Sequence, residues 1–523
     1  MGMNGTNNTY KYNQLAAGVA GIAAAAAMFS IAQLLSVFFG TPSAPLNSTG
    51  SAFIDVTPAW LKDFVIGIFG TNDKLVLWLS MGVVVAGAAF LIGMLAQRNF
   101  AAAASCVVLL GIVIAVGILS RTGASTGDLT PLVVGVICGL MVLKWLSAAA
   151  KRAVVAPVTP DVLTRAATTR RQFMLFSALT IVGSLAATVL AKYLSAARDL
   201  SIAARETLRL PAPKRRVAPI SPGAQIEVAG MPQFLTPNAD FYRIDTALSV
   251  PQLDPERWSL RVHGMVEHEF SMSFAQLLEQ DLVESYLTLT CVSNPVGGDL
   301  VGNAKWLGYP LRLLLERAVP LPGADMVLST SSDGFTASTP LEVLTDQRMA
   351  LLAVGMNGQP LPFEHGFPVR MVVPGLYGYV SATKWVVDLE VTRFADKVAY
   401  WSTRGWSERG PIKISSRVDV PRNNATVSVN NLVLGGTAWA QTRGIQAVEL
   451  SFDDGPWVRA ELGDEVSVDT WRQWRYLWTA APAGKHTVKV RAIDGHGEIQ
   501  SGDIASPAPN GASGWHRINF TAR

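Results

Sequence analysis

The chain is poor in cysteine and in charge. It has three cysteines in 523 residues, and only 16% of its residues are Asp, Glu, Lys or Arg. No CxxC pair, CxxCH motif or iron–sulfur cysteine spacing is present, so the sequence excludes a covalently attached haem and an iron–sulfur cluster. The net charge of +4 is small, and no basic stripe alternates with aromatic residues, which argues against nucleic-acid binding.

Histidine is missing from the apolar first part of the chain. All six histidines lie at or after His263, whereas the long apolar runs end near residue 194. A membrane haem held by two axial histidines is therefore excluded. The apolar runs also lack the paired internal charges that are typical of a transport path.

Five apolar runs are long enough to span a membrane, which takes about 20 helical residues. They cover 14–39, 74–96, 101–120, 130–147 and 173–194, and they predict a transmembrane region over residues 1–195. Basic residues in the short loops favour one side, which we expect to be cytoplasmic. The residues on that side are Lys11, Arg98, Lys144, Lys151, Arg152, Arg165, Arg170 and Arg171, against Lys62, Lys74 and Arg121 on the other. Five crossings then place the second half of the chain outside the cytoplasm.

The fifth run follows the sequence Thr168-Thr-Arg-Arg-Gln-Phe-Met174. This motif is similar to a twin-arginine export signal, which would carry a folded, cofactor-loaded domain across the membrane. A plain basic flank that orients the helix explains the same residues equally well.

The remaining chain predicts a linker and two domains. Residues 196–224 are rich in proline and basic residues, which is typical of a linker. Residues 225–396 mix short strand-like runs, such as Lys384–Val391, with a few helical ones, such as Phe274–Leu282, and predict an α+β domain. Residues 397–523 contain short β-runs about ten residues apart with Asp-Gly and Pro-Ala-Gly turns, which predict an immunoglobulin-like β-sandwich.

Cys291 stands apart from the other cysteines. Cys106 and Cys138 lie inside apolar runs, whereas Cys291 ends a β-branched run at a Gly/Pro-rich loop. A lone thiol at such a place is a small buried hydrophobe, a nucleophile or a soft metal ligand, and its own surroundings favour the buried reading.

Several motifs occur in order around this cysteine. They include Leu235-Thr-Pro-Asn238, Phe241-Tyr-Arg-Ile-Asp245, Met356-Asn-Gly-Gln-Pro-Leu-Pro362, His365-Gly-Phe-Pro-Val-Arg370 and Lys384-Trp385. With these motifs, residues 225–523 resemble the sulfite oxidase family of molybdenum–molybdopterin oxidoreductases, including its immunoglobulin-like domain. The resemblance covers some 300 residues. The apolar first part lies outside it.

The resemblance implies a role for each matching residue. Cys291 is implied to ligate molybdenum, and Cys291, Arg243, Trp406 and Arg472 to form the catalytic and substrate-facing set. The residues implied to contact the cofactor are Asn238, Tyr242, Arg243, Ser331, Asp333, His365, Arg370 and Lys384. Chemistry agrees, since molybdenum takes soft sulfur ligands and cationic side chains suit the phosphate of the pterin.

The match departs from the animal enzymes where the substrate binds. Those enzymes have two consecutive arginines shortly after the cysteine, where this chain has Asn294-Pro-Val-Gly-Gly298, and a tyrosine where it has Trp406. The substrate pocket is therefore predicted to be less basic and more aromatic, which is unfavourable for dianionic sulfite. Arg243 remains, and Arg472 and Arg475 are the candidates to add positive charge from the last domain.

The sequence thus predicts a membrane-anchored enzyme that transfers an oxygen atom to or from a small sulfur- or nitrogen-oxo compound outside the cytoplasm. The alternatives are a sulfite oxidase or dehydrogenase, a sulfoxide reductase, and a non-catalytic membrane scaffold. A separate cytochrome or membrane redox protein is expected to exchange electrons with it. The resemblance also suggests a homodimer formed through the last domain.

Overall fold

The computed structural model describes residues 3–39, 43–57, 61, 68, 73–120, 124–154, 160–197, 200–247, 249–430, 432–479 and 481–523. They form two compact units. The first comprises Met1–Asp199 with Ala247–Ser249, and the second comprises Leu200–Thr246 with Val250–Arg523. The first unit is helical, and the second combines sheets with short helices.

The helices of the first unit are long and apolar. They are α1 (Met3–Ser36), α2 (Pro45–Val56), α3 (Asp73–Arg98), α4 (Phe100–Leu119), α5 (Thr130–Val154) and α6 (Pro160–Ala197). Five stretches of the described residues are long and apolar enough to cross a membrane: Gln14–Ser36, Leu75–Arg98, Phe100–Leu119, Thr126–Lys151 and Arg171–Leu194. The five predicted apolar helices are confirmed. The twin-arginine motif lies within α6, and its role as an export signal stays a prediction.

Small residues let α1 pack closely against α3. A Cβ atom at Gly21 would lie 2.0 Å from the carbonyl oxygen of Ala89, and one at Gly93 would lie 2.1 Å from that of Ala17. Such close backbone approach, without bulky side chains between, is the usual way in which apolar helices associate in lipid.

The second unit begins with α7 (Leu200–Thr207) and an extended segment. Arg205 donates from Nε to the carbonyl of Leu361 at 2.7 Å. Further along, the Lys214 amide donates to Leu282 O at 2.7 Å, and the Glu284 amide donates to Arg215 O at 2.9 Å. The second half of the predicted linker therefore lies along the edge of a strand.

The α+β domain contains one mixed sheet, in which β1 and β10 are parallel, and one antiparallel sheet. Its strands are β1 (Ser259–Gly264), β2 (Phe270–Ser273), β3 (Val283–Thr290), β4 (Val301–Pro310), β5 (Met326–Ser331), β6 (Thr336–Pro340), β7 (Leu351–Met356), β8 (Gln359–Pro360), β9 (Arg370–Val372) and β10 (Val386–Thr392). The strand orders are β2-β1-β10-β5-β6 and β3-β4-β7-β8, with β9 paired to β7. Its helices are α8 (Phe274–Leu278), α9 (Leu311–Ala318) and α10 (Leu341–Thr345).

The last part of the chain is the predicted β-sandwich. One sheet has the order β11-β13-β17-β16 and the other β12-β19-β18-β14-β15. The strands are β11 (Ser415–Val420), β12 (Ala425–Val427), β13 (Leu432–Trp439), β14 (Ile445–Phe452), β15 (Trp457–Arg459), β16 (Glu461–Leu462), β17 (Arg472–Trp478), β18 (Gly484–Asp494) and β19 (His516–Ala522). Apolar residues such as Leu434, Trp474 and Val488 fill the space between the sheets.

Candidate active site

Cys291 lies directly after β3, at the outer edge of its sheet. Its amide donates to Leu300 O at 2.9 Å, and its carbonyl accepts from the Asn294 amide at 3.1 Å. Asn294 in turn accepts from the Leu300 amide through its side-chain oxygen. These bonds close the loop 291–300 and fix the backbone of the cysteine, whose side chain is buried.

The environment of Cys291 keeps its thiol protonated when no metal is bound. Burial raises the pKa of Cys291, although hydrogen bonds from Ser293 and the charge of Lys384 act in the opposite direction. A buried thiolate needs a strong positive partner, and a metal ion provides one. Because a protonated thiol is a weak nucleophile, this environment favours the metal-ligand interpretation over a free nucleophile.

The segment before Tyr242 holds His365 in one tautomer. His365 Nε2 lies 3.0 Å from the carbonyl oxygen of Asn238. A carbonyl only accepts hydrogen bonds, so Nε2 carries the proton and Nδ1 is an acceptor. That Nδ1 is buried and has no hydrogen-bond partner among the described residues. Burial and the neighbouring cations lower the pKa of His365 to about 4, so the ring is neutral at pH 7.

Arg370 is a buried cation bonded to carbonyl oxygens. Its guanidinium donates to His365 O at 3.2 Å, to Ala382 O at 3.3 Å and to Met371 O at 3.3 Å, and it faces the Trp306 ring. Burial lowers the pKa of Arg370 to about 10, which still leaves it charged at pH 7. A buried charge normally has a counterion, so this arrangement favours a bound anion.

Lys384 and Arg243 share one carboxylate. Lys384 Nζ lies 3.0 Å from Asp245 Oδ2, and Arg243 Nε lies 2.8 Å from the same oxygen. Burial lowers the pKa of Lys384 to about 8. Of the three cationic side chains around the His365 loop, Lys384 and Arg243 thus share one carboxylate and Arg370 bonds to backbone carbonyls, and the excess positive charge suits a phosphate group.

The turn after β5 offers two serine hydroxyls and a carboxylate. The Oγ atoms of Ser331 and Ser332 are buried and have no partner among the described residues. Asp333 accepts from the Phe335 amide and lies 3.4 Å from the Thr246 hydroxyl. Unpartnered buried hydroxyls are rare, and a polar ligand would satisfy them.

These elements surround one cavity of about 830 Å³, including its open mouth. Tyr242, Cys291, Ser331, Asp333, Arg370, Lys384 and Trp406, all of which the sequence singled out, line it. Asn238, Arg243 and His365 contact its walls instead, since Arg243 binds Asp245, Asn238 bonds to His365, and the His365 carbonyl accepts from Arg370.

Aromatic rings form one wall of the cavity. The Trp406 ring lies 6.0 Å from that of Tyr379 and 6.2 Å from that of Trp401. The Tyr379 hydroxyl donates to the carbonyl of Ser407, next to Trp406. Sequence reasoning missed Tyr379, Trp401 and Asp245 as wall residues. The sequence could have indicated Asp245, because it is the last residue of the 241–245 motif.

Arg472 is placed elsewhere. Its guanidinium donates to Gly463 O and Ile445 O at 2.8 Å each, inside the β-sandwich, and lies 3.8 Å from Glu465. Arg475 pairs with Glu461 at 2.7 Å. The structure therefore does not bring either arginine to the cavity, because β17 directs both towards partners in its own domain.

The residues present fit a molybdenum–molybdopterin group. The Cys291 thiol is available to bind the metal. The buried cations outnumber the carboxylates beside them and suit a phosphate. The neutral imidazole nitrogen and the two serine hydroxyls suit the polar edge of a pterin.

Comparison with known proteins gives the same assignment. Residues 247–401 match the oxidoreductase molybdopterin binding domain, and residues 415–490 match a bacterial Ig domain. Mitochondrial sulfite oxidase from Rattus norvegicus is 29% identical over 341 residues, which are 55% of this chain and 61% of the relative. The uncharacterized oxidoreductase YuiH from Bacillus subtilis (strain 168) is 32% identical over 157 residues, which are 30% of this chain and 76% of the relative.

Among solved structures, the sulfane dehydrogenase SoxCD from Paracoccus pantotrophus aligns with a TM-score of 0.47 and 22% identity, over 56% of this chain and 84% of that one. The chain spans 61% of the length of the mammalian sulfite oxidases that it matches. The matched domain is the one that binds molybdenum–molybdopterin. This chain belongs to the sulfite oxidase family of molybdopterin-binding oxidoreductases.

Proposed function

We propose that this protein is anchored in the cell membrane by its five apolar helices and transfers an oxygen atom to or from a small sulfur- or nitrogen-oxo compound outside the cytoplasm. The observation that carries the proposal is the convergence of the Cys291 thiol and two buried cations, Arg370 and Lys384, on one cavity. When bound, molybdenum–molybdopterin supplies two-electron oxygen-atom transfer chemistry.

The protein's own residues would bind and orient both reactants. Cys291 is the proposed protein ligand of the metal. Arg370, Lys384 and Arg243 would hold the phosphate, while His365 Nδ1, Asn238, Ser331 and Asp333 would contact the pterin. Tyr242 lies against this centre, and burial together with the nearby Cys291 raises the pKa of its hydroxyl, so it stays a hydrogen-bond donor at pH 7.

Sulfoxide reduction is the second candidate, and the aromatic wall favours it over sulfite oxidation. Trp401, Trp406 and Tyr379 line the cavity, whereas its cationic lining residues, Arg370 and Lys384, are assigned to the cofactor phosphate. A neutral compound with an apolar substituent would pack on this wall, whereas sulfite would lack a dedicated positive charge. Arg472 no longer supports sulfite binding, because it is bonded within the β-sandwich.

The remaining parts of the proposal concern partners. The cysteine pattern excludes an attached haem or iron–sulfur cluster, so a separate cytochrome or membrane redox protein would exchange the electrons. A homodimer through the β-sandwich is proposed from the family resemblance. Molybdenum and pterin analysis of the purified protein tests the enzyme against the scaffold alternative. One equivalent of each is expected, and a well-folded protein with neither, from a host that makes the cofactor, would favour the scaffold.

A further inference from the structure

The strand that presents Cys291 is bonded on its outer edge by the β-sandwich. The inner edge of β3 pairs with β4 along its whole length. On the other edge, the Thr288 amide donates to Asp469 O at 3.0 Å, and the Trp471 amide donates to the Thr288 hydroxyl at 2.7 Å. The Thr288 hydroxyl also donates to Asn303 Oδ1 at 3.0 Å, whereas the Thr288 amide at an open edge would have no partner among the described residues.

Gln441 completes this edge nearest to the cysteine. Its side-chain amide donates to Thr288 O at 2.9 Å and lies 3.5 Å from the hydroxyl of Thr290, the residue before Cys291. Gln441, Thr288 and Thr290 are each at most 2% exposed. Because water does not reach this position, the amide of Gln441 is the group that satisfies the Thr288 carbonyl.

The same domain also contacts the loop that follows the cysteine. Arg417 Nη1 donates to Gly298 O at 2.8 Å. A Cβ atom at Gly297 would lie 2.3 Å from His516 Nε2, so the loop passes directly against that ring. Residues of the β-sandwich therefore fix the backbone on both sides of Cys291.

From these contacts we infer that Gln441 is a positioning residue for Cys291: the β-sandwich sets where the thiol lies by completing the outer edge of β3. The importance of this position for a metal rests on the proposed function, whereas the position itself is a property of the cofactor-free chain. Small displacements of a ligand change metal binding and activity, since residues behind the ligands orient them.

The chain offers a matched control for Gln441. Gln473 is another completely buried glutamine of the β-sandwich; it accepts from the Ile226 amide at 2.7 Å and donates to Pro232 O at 2.8 Å. It ties the domain to the segment 226–232 instead of to β3. Replacing either glutamine by methionine keeps the size of the side chain and removes its hydrogen bonds.

The experiment measures how fast iodoacetamide alkylates Cys291 in the full-length, cofactor-free protein in detergent. Peptide mass spectrometry separates Cys291 from Cys106 and Cys138. We expect Gln441→Met to react about tenfold faster than the unaltered protein, the effect of losing one buried hydrogen bond. Gln473→Met should react at the unaltered rate while losing comparable thermal stability. Equal rates for both variants, or an unaltered rate for Gln441→Met, would overturn the inference.

Two further measurements keep the test decisive. If Gln441→Met does not fold, the shorter polar Gln441→Asn should show the same increase with smaller amplitude, and an unaltered rate there would also overturn the inference. In loaded protein, the electron paramagnetic resonance signal of molybdenum should shift in the Gln441 variant and not in Gln473→Met. A Cys291→Ser variant that kept an unchanged metal signal would contradict the proposed function while leaving the alkylation result intact.

Discussion

The Lys384 ammonium lies 3.0 Å from Asp245 Oδ2, and less than a tenth of either side chain is exposed. Asp245 also binds Arg243, so one carboxylate pairs with two cations, while the hydrogen bonds of Arg370 within the described part of the chain go to backbone carbonyls. The cofactor-free protein therefore has an excess of buried positive charge, which a bound phosphate would compensate.

The first prediction concerns pH. Burial lowers the pKa of Lys384 from 10.5 to about 8, so between these values the unfolded chain holds a proton that the folded chain does not. The free energy of unfolding therefore rises with pH in that window, and below it the cost of the buried charge is fully present. Thermal unfolding of cofactor-free protein should show this gain between about pH 8 and 10.5, and Lys384→Met should lack it.

The control for this experiment is Lys397→Met. Lys397 forms a half-exposed ion pair with Glu390 and should leave the pH dependence as it is. Cofactor-loaded protein should also show a smaller rise, because a phosphate beside Lys384 favours its charged form. Identical pH profiles for the unaltered protein and Lys384→Met would contradict the prediction.

The second prediction concerns Cys291. Replacing its thiol by the hard hydroxyl of serine should reduce oxygen-atom transfer to background and change the molybdenum spectrum, because the metal prefers sulfur. The fold should persist, since the two side chains are similar in size. Cys106→Ser and Cys138→Ser, which lie in α4 and α5, are the matched controls and should keep both activity and spectrum. Full turnover of Cys291→Ser with an unchanged spectrum would exclude Cys291 as the ligand.

The third prediction concerns topology. The distribution of Lys and Arg and the five apolar helices predict that the C-terminus lies outside the cytoplasm. A reporter that is active only outside, fused after Arg523, should be active, and one active only inside should be silent. Changing Arg170 and Arg171 to lysine keeps the charge and removes a twin-arginine signal. If cofactor-loaded protein is exported at an unchanged level, Arg170 and Arg171 are a basic flank that orients the helix and not an export signal.

The architecture was predictable because its signals are local. Long apolar runs predict α1, α3, α4, α5 and α6, and short β-runs with Asp-Gly turns predict the β-sandwich. Boundaries were less accurate. The predicted helix 274–282 ends at Leu278, and the strand expected from residue 384 begins at Val386, because Trp385 adopts a positive φ of 50°. Backbone strain of this kind leaves no signal in a single sequence.

The site was predictable only for residues that belong to the motifs of the family. Cys291, Arg370 and Lys384, which the resemblance singled out and whose roles stay predictions, line one cavity. Arg472 does not, because the direction of an arginine on β17 depends on carbonyl partners such as Gly463, which are distant from the motifs that define the family. Tyr379 and Gln441 gain their importance from tertiary contacts with Ser407 and Thr288, and nothing in their own sequence neighbourhood marks them.

The last prediction concerns the substrate. Val296 stands near the place where sulfite-oxidising relatives carry an arginine, and it lies partly exposed in the loop after Cys291. We expect weak sulfite binding and better turnover of an organic sulfoxide, which packs on Trp406. Trp406→Ala should therefore raise the Michaelis constant for the sulfoxide, whereas Val296→Arg should lower that for sulfite about tenfold or more, the value of a charged hydrogen bond.

The matched control is Val468→Arg, which adds the same charge at an exposed position outside the loop that follows Cys291. If net charge alone attracted sulfite, both arginine variants would improve its binding equally, and salt would abolish the gain. A gain confined to Val296→Arg and retained in salt would instead show a local contact. Steady-state assays with artificial electron carriers decide between the substrates. Fast sulfite oxidation by the unaltered protein, with a micromolar Michaelis constant, would contradict the prediction, because the cavity would then bind a dianion without the arginine that we expect it to need.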